Sequence, residues 1–110
     1  MENKTIFNKL TRDKVPKIIK DSGDIPEVEI LDAAAYSKKL DEKLLEECHE
    51  VLSAVDIDSK IEEMADVIEV LYAMADVLGV TADEIEKVRL NKREERGAFE
   101  KKILLISTTP

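Results

Sequence analysis

Four carboxylates in the middle of the chain stand in two pairs whose spacing suits a metal site. Glu47 and Glu50 form one pair, and Glu63 and Asp66 form the other, each with the i, i+3 spacing of neighbours on one helix face. A chain that folds back between residues 56 and 58 brings Glu47 to Asp66 and Glu50 to Glu63. Four close negative charges repel one another unless a counter-charge is present. Because Mg2+ prefers carboxylate oxygens, the pattern predicts a divalent-metal site.

Two predicted helices position these acids. The first follows Asp32, a good N-cap, and has apolar residues at helical spacing: Leu40, Leu44, Cys48, Val51 and Val55, where it ends. Ser59, with Glu62 three residues later, has the pattern of a capping box and predicts the start of the second helix. This helix ends near Leu78, before Gly79. The connection at residues 56–58 is short, which predicts a tight αα-hairpin.

Two more helices flank the hairpin. Pro16 suits an early helical position and predicts a short helix over residues 14–20. Thr81 and Glu84 form a second capping-box pattern, which opens a helix that runs to about Arg96 and stops at Gly97. The apolar residues 103–106 are expected to form a short strand or a docking segment.

The second hairpin helix has an unusually wide apolar surface, about half of its circumference. Its members are Ile61, Met64, Ala65, Val67, Ile68, Leu71, Tyr72, Met74, Ala75 and Leu78. A chain of 110 residues has few other elements that cover such a surface. We therefore predict an all-α fold, a single domain over residues 1–110, and a helical bundle of αα-hairpins completed by homo-oligomerisation as a dimer or tetramer.

Composition argues against several functional classes. The 25 acidic and 17 basic residues give a net charge of −8, the opposite of what nucleic-acid binding requires. Cys48 is the only cysteine, so neither a disulfide framework nor a zinc site is indicated. There is no signal-peptide pattern and no apolar run of the ~20 residues that span a bilayer. We expect a cytoplasmic protein with neither a nucleic-acid nor a membrane partner.

Three motifs resemble those of the MazG-like all-α NTP pyrophosphohydrolase superfamily. KLLEECHE at residues 43–50, followed by EEMADVIEVL at residues 62–71, resembles its EExxE…ExxD signature. NKLTRDKVPKII at residues 8–19 and ERGAFEKKILL at residues 95–105 resemble terminal motifs of a small single-domain branch related to phosphoribosyl-ATP pyrophosphohydrolases. Ala98 stands where that branch often has a second glycine, so the local loop is expected to differ from that of the branch.

The resemblance implies Mg2+-dependent hydrolysis of nucleoside triphosphates between the α and β phosphates, which yields a nucleoside monophosphate and pyrophosphate. Mn2+ is the alternative ion, and house-cleaning of non-canonical nucleotides is the implied role. The resemblance also implies that the metal is bound by Glu47, Glu50, Glu63 and Asp66. Glu46 is the implied catalytic residue beside them, as a further ligand, an outer-shell acceptor or the base that orients the attacking water.

The phosphates of such a substrate need basic partners. The candidates are Arg12, Lys14, Lys92 and Arg96, and the alternative is that these are solubilising charges on the helix surfaces. Two other interpretations of the whole chain stay open. One is the hydrolysis of phosphoribosyl-ATP, and the other is a non-catalytic helical dimer or adaptor whose acids are merely solvated.

Overall fold

A computed structural model describes residues 3–110 and contains, in that range, four α-helices and no β-strand. The helices are α1 (Val15–Asp21), α2 (Ala33–Ser53), α3 (Ile57–Leu78) and α4 (Ala82–Arg96). The predicted all-α fold is confirmed. The alternative of a strand at residues 103–106 is wrong, because this segment is irregular and its apolar side chains are exposed. Between residues 3 and 110, no helix has both the length and the apolar character needed to cross a membrane.

The hairpin of α2 and α3 is the principal packing unit of the described chain. α2 begins as predicted, because the carboxylate of Asp32 accepts a hydrogen bond from the backbone N–H of Ala35 at 2.8 Å. Residues 54–56 then turn the chain, and α3 returns along α2. Leu40 of α2 is 2% exposed and Val70 of α3 is 8% exposed. Val70 was missing from the predicted apolar surface of this helix, yet it lies in the packed face.

The turn between α2 and α3 differs from the prediction in its cap. Asp56 is the N-cap of α3, and its carboxylate accepts hydrogen bonds from the backbone N–H and the hydroxyl of Ser59 at 2.8 and 3.0 Å. These bonds lower the pKa of Asp56. The predicted capping box of Ser59 and Glu62 is therefore wrong, because Asp56 already satisfies the end of the helix and α3 starts earlier, at Ile57.

Removing this cap is expected to lower the thermal stability of the protein. Asp56→Ala leaves the first N–H groups of α3 without their acceptor, so we expect its melting temperature to fall by several degrees. Ser59→Ala removes only the hydroxyl donor and should cost much less. Melting followed by circular dichroism compares the two variants. An equal or larger loss in Ser59→Ala would contradict this assignment of the cap.

The end of α3 and the start of α4 follow the prediction. Gly79 ends α3 with a left-handed backbone, at a φ of 76°, which glycine adopts without a steric penalty. The Thr81 hydroxyl accepts from the N–H of Glu84 at 3.1 Å, and the Glu84 carboxylate accepts from the N–H of Thr81 at 3.3 Å. This reciprocal capping box opens α4, which packs against α3 and no other helix in the described range.

The face that α2 turns toward α3 is rotated from the predicted apolar stripe. Cys48 and Val55 are exposed, whereas Glu47 is 8% exposed. Leu44 and Val51 are half-buried on the same side as Glu47. The predicted burial of Cys48 is therefore wrong, because the packed face of α2 advances from Leu44 to Glu47 rather than to Cys48. A carboxylate consequently lies inside the helix interface.

Much of the apolar surface has no cover within residues 3–110. The apolar residues that are buried in that range are Leu40, Val70 and Ala75. The radius of gyration is 18.7 Å, against about 13 Å for a compact chain of this length. An outer stripe on α3 stays 40–77% exposed and consists of Ile61, Met64, Ile68, Leu71 and Leu78. The predicted homo-oligomer would cover this stripe and stays a prediction.

Candidate metal centre

Three carboxylates meet where α2 faces α3. One oxygen from each of Glu47, Glu63 and Asp66 lies within 4.8 Å of the other two, and this group is called the acid cluster below. Glu47 is buried, while Glu63 and Asp66 are half-buried on successive turns of α3. The hairpin therefore gathers three of the four predicted metal ligands into a volume that one cation can occupy.

Glu50, the fourth predicted ligand, lies outside the acid cluster. It stands one turn beyond Glu47 on α2 and is exposed. Its charge still acts on Glu63, although more weakly than the charges of Asp66 and Glu47. The expected one-to-one pairing across the turn is thus replaced by an arrangement in which Glu63 is most strongly coupled to Asp66 and Glu47. The rotation of α2 explains this difference, since it turns Glu47 inward and Glu50 outward.

Glu63 is the member of the acid cluster whose pKa is shifted by its surroundings. Partial burial raises its pKa above the ordinary value of 4.5, and the charges of Asp66, Glu47, Glu50 and Glu62 raise it further. No Lys or Arg in the described part of the chain lies within ion-pairing distance of Glu63. A carboxylate that is desolvated and surrounded by like charges gains the most from a cation at the cluster.

Basic side chains lie against the other acids. Arg12 Nη2 donates to Asp66 Oδ1 at 2.5 Å, and Lys9 Nζ lies 3.2 Å from Glu46. Lys43 of α2 lies 3.5 Å from Glu46 and 3.3 Å from Glu47. Neither Lys9 nor Lys43 is among the site residues predicted from the sequence. The i, i+3 and i, i+4 spacing to the two glutamates was a signal that could have identified Lys43.

Residues 3–14, which precede α1, form an N-terminal arm that reaches the acids. Lys9 and Arg12 anchor it through the ion pairs just described, and Lys39 of α2 donates to the carbonyl oxygen of Asn8 at 3.3 Å. Asn8 has a φ of 48° in the left-handed region, which asparagine tolerates better than most residues. The arm thus brings the predicted phosphate-binding residue Arg12 to the acid cluster.

The remaining predicted site residues lie elsewhere. Glu46 borders the acid cluster without belonging to it, and its side chain is 27% exposed. Lys14 is the exposed N-cap residue of α1. Lys92 and Arg96 are exposed on α4, and neither makes an ion pair with the clustered acids in the described chain. The contact of Lys92 and Arg96 with phosphate stays a prediction, and their positions on α4 do not support it.

The donor set of the acid cluster fits a hard divalent cation. It consists of carboxylate oxygens, with no cysteine or histidine among them. Ligands of one Mg2+ ion are separated by about 3–4 Å, since each lies ~2.1 Å from the metal. The oxygens of the cluster lie within 4.8 Å of one another, so a small side-chain adjustment is sufficient. These three carboxylates would hold such an ion and leave room on it for water or phosphate.

The raised pKa of Glu63 predicts how stability depends on pH. Because folding raises this pKa, the folded state binds the proton more tightly than the unfolded state does. The resulting stabilisation is full below 4.5 and is lost as pH rises through the raised pKa of Glu63. As pH falls from neutral toward 4.5, we expect the melting temperature of the metal-free protein to rise relative to that of Glu63→Gln.

Melting in EDTA across this pH range checks the expectation. With saturating divalent metal the trend should reverse, since protons then compete with the metal for the carboxylates. Parallel curves for the wild type and Glu63→Gln in EDTA would contradict the electrostatic account.

Comparison with known proteins places this arrangement in a family. The sequence model of the family described as phosphoribosyl-ATP pyrophosphohydrolase matches residues 13–93. This range holds α1, α2, α3 and most of α4, together with the whole acid cluster. No curated protein and no solved structure matches the chain. The match confirms the superfamily resemblance, and it begins one residue after Arg12.

Proposed function

This chain belongs to the phosphoribosyl-ATP pyrophosphohydrolase family, and on that premise we propose that it is a Mg2+-dependent nucleoside triphosphate pyrophosphohydrolase. It would cleave between the α and β phosphates and yield a nucleoside monophosphate and pyrophosphate. The observation that carries the proposal is the acid cluster, which lies inside the family-matched hairpin and contains a carboxylate without a basic partner in the described chain.

Glu47, Glu63 and Asp66 would hold the metal, with Mn2+ as an alternative to Mg2+. When bound, such an ion neutralises phosphate charge and lowers the pKa of a bound water. Glu50 lies at the exposed side of the cluster, where it adds negative potential that attracts a cation. The hairpin supplies rigidity, because helices hold acidic side chains more accurately than a loop does.

Glu46 and the arm complete the proposed site. Glu46 lies next to the acid cluster but outside it, and both Lys9 and Lys43 pair with it, so its proposed role is that of a hydrogen-bond acceptor for the attacking water. Arg12 is the best-placed phosphate partner, since its guanidinium lies at the acid cluster and can clamp phosphate with two N–H groups.

Pyrophosphate release tests the proposal directly. The panel contains ordinary, deoxy and modified nucleoside triphosphates, each assayed with Mg2+, with Mn2+ and with EDTA. We expect metal-dependent release of pyrophosphate, together with the matching monophosphate. A panel that shows no metal-dependent release with any substrate, phosphoribosyl-ATP included, would refute the activity.

Phosphoribosyl-ATP is the second candidate substrate, and the description of the matched family favours it. The bond that breaks is the same, so the acid cluster would serve either substrate. The values of kcat/KM for phosphoribosyl-ATP and for the best simple triphosphate distinguish the two candidates. House-cleaning is the proposed role if modified triphosphates are preferred over ordinary ones.

A second copy of the chain is the proposed partner of the outer stripe. Its members at residues 61, 64, 68 and 71 follow alternating three- and four-residue steps, and Leu78 lies seven residues beyond Leu71. This is the spacing by which one helix packs along another. A monomer that exposes such a stripe and buries so few apolar residues lacks much of a normal core. Self-association supplies the missing contacts, as a dimer or tetramer.

A further inference from the structure

Arg12 forms an ion pair with Asp66, a carboxylate that would bind the metal under the proposed function. Its Nη2 lies 2.5 Å from Oδ1 of Asp66, although 54 residues separate the two in the chain. Asp66 is a member of the acid cluster, so the guanidinium acts as a counter-charge at one side of it. The same carboxylate oxygen cannot make this close hydrogen bond and bind a cation from the same direction.

We propose that Arg12 competes with the divalent metal for Asp66 and, once the metal displaces it, binds a phosphate group of the substrate. This inference rests on the proposed function, because it takes the acid cluster as the metal site. It gives Arg12 two alternative partners, a carboxylate before metal binds and a phosphate afterwards, and it makes the metal a condition for phosphate binding by the arm.

The exposure of the pair allows such an exchange. The side chain of Arg12 is 58% exposed and that of Asp66 is 38% exposed. Ion pairs that are this accessible to water contribute little net stability, so a divalent cation can replace the guanidinium at low cost. A bidentate Arg–phosphate pair is stronger than most exposed ion pairs. The released guanidinium therefore has a better partner in a bound triphosphate.

The position of Arg12 in the arm makes the movement possible. It precedes α1, in a segment with no regular secondary structure, so its backbone as well as its side chain can adjust without breaking helical hydrogen bonds. Lys43 differs in this respect, because it is fixed within α2 beside its two glutamates. Lys9 and Lys39 continue to hold the arm against α2 when Arg12 leaves Asp66.

Metal affinity in the absence of nucleotide tests the competition. Calorimetric titration with MgCl2 and MnCl2 compares the wild type with Arg12→Gln, Arg12→Lys and Lys17→Gln. Lys17 pairs with Asp21 in α1, so Lys17→Gln removes the same charge away from the acids. We expect Arg12→Gln to bind metal about threefold more tightly than Lys17→Gln, the effect of losing one exposed ion pair. Arg12→Lys should lie between wild type and Arg12→Gln, and circular dichroism verifies folding.

Substrate binding should change in the opposite direction. At saturating metal, Arg12→Gln is expected to raise the KM of the best triphosphate by about tenfold, the loss of one charged phosphate contact. Lys17→Gln should leave it unchanged. Metal affinity in Arg12→Gln that equals or falls below that of Lys17→Gln overturns the competition, and an unchanged KM overturns the binding of phosphate by Arg12. If no variant binds metal, the metal site itself is refuted, which distinguishes that failure from a failure of the competition alone.

Discussion

Glu63→Gln is expected to lower kcat by on the order of a thousandfold while making the metal-free protein more stable. Activity falls because the amide removes a negative charge from the proposed metal site, and metal assistance contributes several kcal/mol to such reactions. Stability rises because the wild-type carboxylate is desolvated beside Asp66 and Glu47, and has no basic partner in the described chain. One substitution thus separates function from folding.

Glu69→Gln is the matched control for this experiment. Glu69 is exposed on the same helix and lies outside the acid cluster, and the substitution removes the same charge with the same change in shape. The measurements are pyrophosphate release with Mg2+ and thermal melting in EDTA. The prediction fails if Glu63→Gln keeps activity within tenfold of Glu69→Gln, or if it melts below that control without metal.

The loss of activity and the gain in stability expected for Glu63→Gln have the same cause. The close approach of Glu47, Glu63 and Asp66 is unfavourable until a cation arrives. The hairpin enforces it through apolar packing that includes Leu40 and Val70. Adding Mg2+ should therefore stabilise the wild type far more than Glu63→Gln, since a ligand that binds the folded state raises stability according to its affinity.

Ile68→Lys is expected to dissociate the proposed oligomer. Ile68 lies at the centre of the outer stripe and is 48% exposed in the single chain. Burial of one such side chain contributes about 2 kcal/mol to the free energy of association, and a symmetric interface buries two of them. The dissociation constant should therefore rise by about a thousandfold. The buried ammonium group adds to this effect.

Light scattering coupled to size-exclusion chromatography measures this change as a fall in mass to that of one chain. Leu52→Lys is the control, because Leu52 is 81% exposed on α2 and lies outside the stripe. It introduces the same charge and should leave the mass of the oligomer intact. A wild type that is monomeric at micromolar concentration, or an Ile68→Lys variant that keeps the wild-type mass, would contradict the assignment of the stripe.

Local information in the sequence was sufficient for most of the helical framework. Asp32 and the box of Thr81 with Glu84 cap their helices as predicted, and Gly79 ends α3. Such features depend on residues only three or four positions apart, whose interactions are nearly independent of the rest of the fold. Ser59 was assigned wrongly because Asp56, a competing cap nearby, lay inside the predicted turn.

The acidic pairs were recognised from their spacing, but only packing determined which acids meet. Rotation of α2 against α3 buries Glu47, exposes Cys48 and leaves Glu50 outside the cluster. This rotation depends on how the apolar side chains of both helices fit together, which periodicity along one helix does not specify. The contact between Arg12 and Asp66 is likewise a product of tertiary structure. It joins two residues far apart in the chain, whose meeting depends on where the arm crosses the hairpin.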